Sequence, residues 1–391
     1  MRRLLERNRT LFIYLIAANF LLAFGHRIWQ AMFNNFAVER IGVGPEAIGW
    51  IQSVREVPGL MAFLLAFLAM ALSEIRIMAI SLVLLGLGLV FTGQATTLPV
   101  LLVATIVMSF GFHFFEPCSN GVVLMSLDRD ESPRALGQLR SLGAVAGLAA
   151  AGVVFLFVER LGYRTMFLIV GIAVAVGGLI LFTRGRGEYG LPPRRRVKLR
   201  KRYWLFYTLA FLMGSRRHIF TTFAPFLLVL THGVSVQTMS ILFLVNTLVN
   251  TYVYQKVGKL VPRLGERTIL SVAFALLIPV FVGYAYVGVL PLLFALFVID
   301  NMLFGFNLGL TTYLQKIAVT PEELTSNLSA QTTINHISAV VIPVVGGTIW
   351  ALFGSKATFL IGVGIAAVSL VLAQFIRTPD GGCSRADAAA G

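Results

Sequence analysis

Long apolar runs with few polar interruptions extend over most of the chain. A helix of roughly 20 apolar residues spans the ~30 Å hydrocarbon core of a bilayer. The runs are too long and too continuous for the alternating ten-residue strands of an outer-membrane barrel. The pattern therefore predicts an all-α integral membrane protein with twelve transmembrane helices, near residues 10–36, 45–73, 77–95, 98–127, 135–158, 162–183, 203–230, 235–257, 268–288, 290–317, 326–353 and 355–376.

Composition supports a membrane protein. Of the 391 residues, 57% are hydrophobic and only 13% are charged, whereas soluble domains carry about 25% charged residues. A chain this apolar cannot cover its surface with polar side chains in water, which excludes soluble enzymes and soluble nucleic-acid-binding modules. The first apolar run, 11–36, is too long for a cleaved signal peptide, so we expect a retained first helix.

The positions of the basic residues, rather than the net charge of +15, predict the topology. Of the 32 Lys and Arg, 23 lie in the termini and alternate loops that would share one side of the membrane, against four in the loops of the other side. Cytoplasmic loops are enriched in basic residues, so both termini are predicted to be cytoplasmic, and the charge needs no nucleic-acid partner. An excess of 26 Arg over 6 Lys indicates a GC-rich bacterial genome, and hence a multi-pass protein of the cytoplasmic (inner) membrane.

A basic segment at 184–202, which contains RRRVKLRKR, divides the chain after six predicted helices and before six more. The two parts repeat at an offset of 191 residues, where Gly42 corresponds to Gly233 and Arg76 to Arg267. An even number of spans in each repeat makes the halves parallel, related by an axis along the membrane normal. The predicted organisation is an N-terminal six-helix bundle (1–183), a basic cytoplasmic linker (184–202), a C-terminal six-helix bundle (203–376) and a cytoplasmic tail (377–391).

A loop motif points to a family. Residues 258–267 read GKLVPRLGER, and this segment resembles the G-x-x-x-D-R-x-G-R-R cytoplasmic loop of the major facilitator superfamily. The matching residues are Gly258, Arg263, Gly265 and Arg267; Pro262 and Glu266 depart from the pattern, and the first-half loop, 67–76, retains only Arg76. The resemblance implies a secondary transporter working by alternating access, with these four residues forming a gating loop.

Ionisable residues inside the predicted spans mark candidate sites, because such residues cost ~2.5 to 3.5 kcal/mol there and usually face a cavity. Five arginines in the spans exceed three acids by two charges. The repeat places basic groups of the first and seventh helices at similar depth, and in the family that the chain resembles these helices line the central cavity. The predicted substrate-binding residues are His26, Arg27, Arg216, Arg217, His218, Asn246, Asn250 and Asn307. The alternative is that the arginines pair with Glu56 and Asp300 and only hold helices together.

A proton-coupling site is expected near the fourth predicted helix. His113 and Glu116 are three residues apart and therefore share one helix face, where a His and a carboxylate can exchange a proton. The predicted proton-coupling residues are His113, Glu116, Glu56 and Asp300. The alternative is a hydrogen-bonded pair that fixes helix packing. Arg55 and Glu56 are adjacent, ~100° apart on a helix, and are not expected to face the same cavity.

The sequence contains no phosphate-binding loop, no H-E-x-x-H and no G-x-S-x-G motif, so enzymatic activity, a cofactor or a bound metal is not expected. The excess of positive charge predicts transport of a small organic anion, with proton coupling as a further expectation. Two alternatives stay open: efflux of lipophilic or cationic compounds, and a membrane enzyme or non-transporting sensor. The expected partners are the small-molecule substrate and membrane lipids, without nucleic acid, and the chain is expected to be a monomer.

Overall fold

The computed structural model describes residues 2–127, 131–184 and 200–378, so most of the predicted linker and tail lie outside the described residues. The described chain is almost entirely helical and contains no strand. The α-helices are α1 (Arg2–Phe36), α2 (Pro45–Leu60), α3 (Leu65–Leu68), α4 (Glu74–Gln94), α5 (Leu98–Ser126), α6 (Ser132–Arg184), α7 (Trp204–Leu230), α8 (Val236–Tyr286), α9 (Leu290–Leu303), α10 (Leu308–Ile317), α11 (Pro321–Phe353) and α12 (Ser355–Ala373).

Two of these helices each contain two predicted spans. The backbone of α6 turns at Gly162 (φ 72°, ψ 165°), where the sixth span is predicted to begin, and that of α8 at Gly265 (φ 78°, ψ 157°), within a predicted loop. Glycine accepts a positive φ at little cost, whereas a side chain would strain the turn. By length and composition, 8 helices of the described chain are able to cross a membrane, and α6 and α8 are counted once each among them.

The described chain forms two compact units. Unit 1 consists of Met1–Arg194, Pro225–Thr247 and Pro343–Ala351, and unit 2 consists of Arg195–Ala224, Leu248–Ile342 and Leu352–Gly391, within the described ranges. Each unit thus consists of three separate stretches of the sequence. Two pieces of the predicted C-terminal bundle belong to unit 1.

Glycines bring the helices of unit 1 into close contact. A Cβ added at Gly86 of α4 would lie 2.5 Å from the carbonyl oxygen of Gly171 in α6, and one added at Gly111 of α5 would lie 2.3 Å from that of Ser81. Small residues allow helix backbones to approach closely in lipid, where packing and not water exclusion drives association. These contacts hold α4 between α5 and α6.

At one end of unit 1, the pieces 225–247 and 343–351 pack against α1 and α2. A Cβ added at Gly49 would lie 2.3 Å from the carbonyl oxygen of Pro343, and one added at Gly347 would lie 2.5 Å from that of Pro45. The side-chain amide of Asn35 donates a hydrogen bond to the carbonyl oxygen of Val234 over 2.8 Å. We call this region the Gly49–Gly347 contact. It joins the first and second halves of the sequence through backbone atoms.

Aromatic packing forms the centre of unit 2. The buried ring of Phe220 in α7 packs against four aromatic rings, of Phe281, Tyr284, Phe297 and Phe304. The last of these belongs to a 3-10 turn, Phe304–Asn307, that separates α9 from α10. This interruption lies beside the arginines of α7 described below.

Candidate functional site

Arg27 is an exposed arginine deep within a membrane-spanning helix. It lies in the candidate span Thr10–Ile41, about 25 Å along the helix from the first residue of that span at 1.5 Å per residue. The guanidinium donates one hydrogen bond, from Nη1 to Oε1 of Gln30 over 2.9 Å. Among the described residues no acid pairs with it. The charge of Arg27 is therefore uncompensated.

His26 lies beside Arg27 in a column of aromatic rings. Its ring stacks on Phe112 with a centroid distance of 4.0 Å and lies 6.0 Å from the ring of Trp29, which stacks on Phe33 at 4.3 Å. The guanidinium carbon of Arg55 lies 5.8 Å from the centre of the Trp29 ring. The column fixes this face of α1 against α2 and α5.

Arg55, Glu56 and His113 form a polar cluster in unit 1. Nη2 of Arg55 lies 2.7 Å from Oε1 of Glu56, and Nε2 of His113 lies 3.6 Å from Oε2 of Glu56. The long arginine side chain reaches across the ~100° between these adjacent helix positions, so the two groups meet. Ser109 contacts both sides of the cluster, with Oγ 2.9 Å from Nδ1 of His113 and a hydrogen bond donated to the carbonyl oxygen of Arg55.

Glu116 does not belong to this cluster. Its side chain is exposed, three residues beyond His113 on α5. The carboxylate beside His113 is that of Glu56, which α2 supplies. His113 thus contacts a carboxylate of another helix, α2, instead of the carboxylate of its own helix that the spacing indicated.

In unit 2, adjacent arginines have different surroundings. Arg216 is buried, and its Nη1 lies 3.2 Å from Oδ1 of Asp300, which is also buried. This is the paired arrangement that the alternative interpretation described. Arg217 is exposed. Both guanidinium groups lie near the ring of Phe304, at 4.5 Å for Arg216 and 5.6 Å for Arg217.

The remaining predicted substrate-binding residues differ in burial and in the unit to which they belong. His218 is buried in α7, next to Arg217. Asn246 belongs to unit 1 and is buried, and neither atom of its amide bonds to a described residue. Asn250, one turn further along α8, belongs to unit 2 and is partly exposed. Asn307 is exposed at the start of α10.

The predicted gating loop is anchored by the two residues that directly follow its glycine turn. Nη2 of Arg267 donates to the side-chain oxygen of Gln374, just after α12, over 3.0 Å. The neighbouring Glu266 is buried and pairs with Nζ of Lys316 at 2.8 Å. Gly258 lies within α8 and Arg263 is exposed, beside the turn at Gly265. The glutamate that departs from the family motif therefore has a cation of its own, at the end of α10.

A family model described as Major Facilitator Superfamily matches residues 15–318. The chain belongs to this superfamily. No curated protein sequence matches it.

Solved structures share the fold of this major facilitator at low sequence identity. A bacterial homolog of the human lysosomal transporter Spinster, in an inward-facing and occupied conformation, matches with a TM-score of 0.73 and 16% identity, covering 94% of this chain and 96% of its own. The nucleoside transporter NupG matches with 0.74 and 18%, covering 93% and 98%. A D-xylose-proton symporter matches with 0.70 and 12%, covering 94% and 98%.

Membership confirms the coarse predictions from the sequence. The protein is a multi-pass membrane transporter with twelve transmembrane helices in two parallel-related six-helix bundles, and it acts on a small molecule. Two of the twelve predicted spans fall outside the helices that qualify by length and composition: the one at 45–73, interrupted by a 3-10 turn at Met61–Leu64, and the one at 203–230, which holds Arg216 and Arg217.

Sequence reasoning missed several residues that shape the site of this major facilitator. Gln30 binds Arg27, Ser109 links Arg55 with His113, and Phe304 lies against both arginines of α7. Gln30 had a local signal, because it lies one helical turn from Arg27. Ser109 likewise lies one turn from His113, but its bond to Arg55 and the contacts of Phe304 join helices distant in sequence and had no such signal.

Proposed function

We propose that this major facilitator transports a small organic anion across the cytoplasmic membrane by alternating access, and that Arg27 binds the anionic group. One observation carries the proposal: a guanidinium deep within a membrane span is exposed, and its hydrogen-bond partner is the neutral Gln30. A charge inside a span costs several kcal/mol unless water or a counter-ion surrounds it. A bound anion is the counter-ion that no described residue supplies.

The other arginines in the predicted spans differ in whether an acid neutralises them. Arg55 is neutralised by Glu56 and Arg216 by Asp300. Arg27 in unit 1 and Arg217 in unit 2 keep an exposed charge, and we take Arg217 as the corresponding candidate of its unit. Two uncompensated guanidinium groups disfavour cationic substrates.

Arginine geometry provides the test of the anion site. A planar guanidinium donates two parallel hydrogen bonds to a carboxylate or phosphate, which a lysine ammonium cannot do. The purified protein is screened by thermal unfolding with benzoate, succinate, lactate and phosphate, with benzamide and benzylamine as neutral and cationic controls. A ligand that binds the native state raises the unfolding midpoint.

We expect at least one anion to raise the midpoint of the parent protein. The shift disappears in Arg27→Ala and is strongly reduced in Arg27→Lys. The matched control is Arg160→Ala, which removes an exposed arginine near the turn of α6 and keeps the shift. An equal shift in Arg27→Ala and in the parent would disprove the assignment.

Proton coupling is the second element of the proposal. Glu56 lies between a permanent cation, Arg55, and a titratable base, His113, while Glu116 is exposed on the same helix as His113. Water around a carboxylate favours its charged form and exclusion of water favours its protonated form. A conformational change that hydrates and dehydrates these groups would therefore couple proton binding to transport.

For the topology we propose cytoplasmic termini, in agreement with the distribution of basic residues. The test labels single introduced cysteines with a membrane-impermeant thiol reagent. Both native cysteines are first replaced, by Cys118→Ser and Cys383→Ser. Thr96→Cys, in the exposed connection between α4 and α5, should react in intact cells. Val319→Cys, in the exposed connection between α10 and α11, should react only after permeabilisation. The reverse pattern would refute the proposed topology.

A further inference from the structure

One face of α1 changes from aromatic to polar along its length. Phe20, Arg27 and Asn34 are spaced by seven residues, so they lie along one line of the helix surface, and Phe24 lies one turn from Phe20. All four side chains are at least partly exposed. We call these residues, together with Gln30, the α1 stripe. It carries apolar rings at one end and hydrogen-bonding groups at the other.

The aromatic end of the stripe is a preformed apolar surface. The rings of Phe20 and Phe24 are nearly parallel, with an interplanar angle of 9° and centroids 5.9 Å apart. Because each residue advances a helix by 1.5 Å, Phe20 lies about 10 Å along the axis from Arg27. A ligand that contacts both Arg27 and Phe20 therefore carries its apolar group about 10 Å from its charged group.

The polar end offers groups beyond Arg27. Oδ1 of Asn34 is buried and accepts no hydrogen bond from a described residue, while Oε1 of Gln30 accepts from Arg27. A buried amide oxygen without a donor is unfavourable. A ligand or water in contact with this end would satisfy it.

Polar residues also indicate what the stripe faces. Lipid-facing surfaces exclude Arg, and residues of this kind face a water-filled or ligand-filled space. Beside the stripe, the Arg27 side chain passes Gly147 of α6, where an added Cβ would lie 3.8 Å from Nε of Arg27. The rings of Phe20 and Phe24 lie on the same face of the same helix.

We propose that the transported anion is amphiphilic, with its charged group at Arg27 and an apolar, preferably aromatic, body over Phe20 and Phe24. This inference rests on the proposed function, because it uses the same Arg27, and it adds the chemical class of the substrate. Burial of apolar surface supplies affinity in proportion to the area removed from water. Aromatic rings add the energy of ring contacts.

The experiment compares ω-phenylalkanoates of increasing length with their primary amides. Phenylacetate, 4-phenylbutanoate and 6-phenylhexanoate are titrated into the purified full-length protein in nanodiscs, and the dissociation constants are measured by equilibrium dialysis. The amides have the same apolar body without the charge, and therefore report partition into lipid. We expect the acids to gain roughly fourfold in affinity per buried methylene, with a plateau once the ring passes the ~10 Å span of the stripe.

Variants separate the two ends of the stripe. Arg27→Ala should abolish the preference for acids over amides at every length. Phe24→Ala should retain binding of phenylacetate and remove most of the gain with length, while Phe24→Leu, which keeps apolar volume, should retain more of it. The matched control is Phe155→Ala, at an exposed phenylalanine of α6.

Two outcomes would count against the proposals in different ways. If acids bind through Arg27 but gain nothing with length beyond the amides, the amphiphilic substrate is excluded and the anion site stands. If no acid of any length binds in an Arg27-dependent manner, the proposed function fails and this inference fails with it. Unfolding midpoints without ligand identify any variant that is merely misfolded.

Discussion

Nη1 of Arg216 lies 3.2 Å from Oδ1 of Asp300, and both side chains are almost completely buried, whereas the adjacent Arg217 is exposed. The aspartate of α9 therefore compensates one of two neighbouring charges on α7. Replacement of one partner of a buried ion pair leaves the other charge buried without compensation and is strongly destabilising. Replacement of both partners by apolar residues of similar volume is often neutral or stabilising.

Asp300→Asn should lower the free energy of unfolding by about 3–5 kcal/mol, because it leaves Arg216 buried without a counter-charge. Denaturant unfolding in detergent measures the change. Replacement of both partners, in Arg216→Met with Asp300→Leu, should restore much of the stability. The control Arg217→Ala removes an exposed charge and should change stability little. Equal stability of Asp300→Asn and the parent would mean that the pair contributes nothing.

Glu116→Gln should preserve exchange of the anion across liposome membranes and abolish accumulation driven by a pH gradient. The amide mimics a permanently protonated carboxyl and cannot release a proton. Reconstituted liposomes measure the two activities separately, with the anion identified by the unfolding screen. Glu159→Gln, an exposed position of α6, is the control. Gradient-driven accumulation at the parental rate would remove Glu116 from the coupling mechanism.

Glu56→Gln tests the other carboxyl near His113. Here the change also removes the counter-charge of Arg55, 2.7 Å away. We expect a lower unfolding midpoint as well as loss of gradient-driven accumulation, in contrast to Glu116→Gln, whose midpoint should stay near the parental value. A Glu56→Gln protein with parental accumulation would limit Glu56 to the ion pair.

Gly49→Ala should weaken the Gly49–Gly347 contact, because the added Cβ would lie 2.3 Å from the backbone oxygen of Pro343. Overpacking of this kind costs about 1–3 kcal/mol. The buried Val234, whose carbonyl accepts from Asn35, provides a reporter. A cysteine at position 234 should be alkylated faster in the Gly49→Ala background.

Gly152→Ala provides the control for that experiment, since nothing lies within 4 Å of a Cβ added there. It should leave both the alkylation rate and the stability essentially unchanged. If Gly49→Ala behaves like Gly152→Ala, the backbones at this contact separate without cost.

Lys316→Met should destabilise the region of the gating loop, because Glu266 is buried and loses the ammonium that lies 2.8 Å from it. Removal of one partner of a buried polar contact costs about 1–3 kcal/mol. The double variant with Glu266→Gln should cost less than the sum of the two single variants, which a double-mutant cycle measures. Lys259→Met, at an exposed lysine of α8, is the control, and additive effects would indicate that the pair does not interact.

The residues that contact the predicted site residues were only partly predictable from the sequence. Spacing along one helix predicts which residues share a face, as Arg27 and Gln30 do. It does not predict which residue of another helix faces them. The contact of His113 with Glu56, which lies on another helix, is an example that the spacing of His113 and Glu116 did not predict.

The sequence by itself determined that this protein is a twelve-helix membrane transporter, since the length of apolar runs is fixed by the thickness of the bilayer and the loop motif is local. It also placed Gly265 in a loop, and glycine accepts the positive φ found there. Only the tertiary structure decided that Asp300 neutralises Arg216, that Glu56 lies beside His113, and that no acid of another described helix pairs with Arg27. The reason is physical: electrostatic compensation acts over a few ångströms between side chains far apart in sequence, and helix packing alone sets those distances.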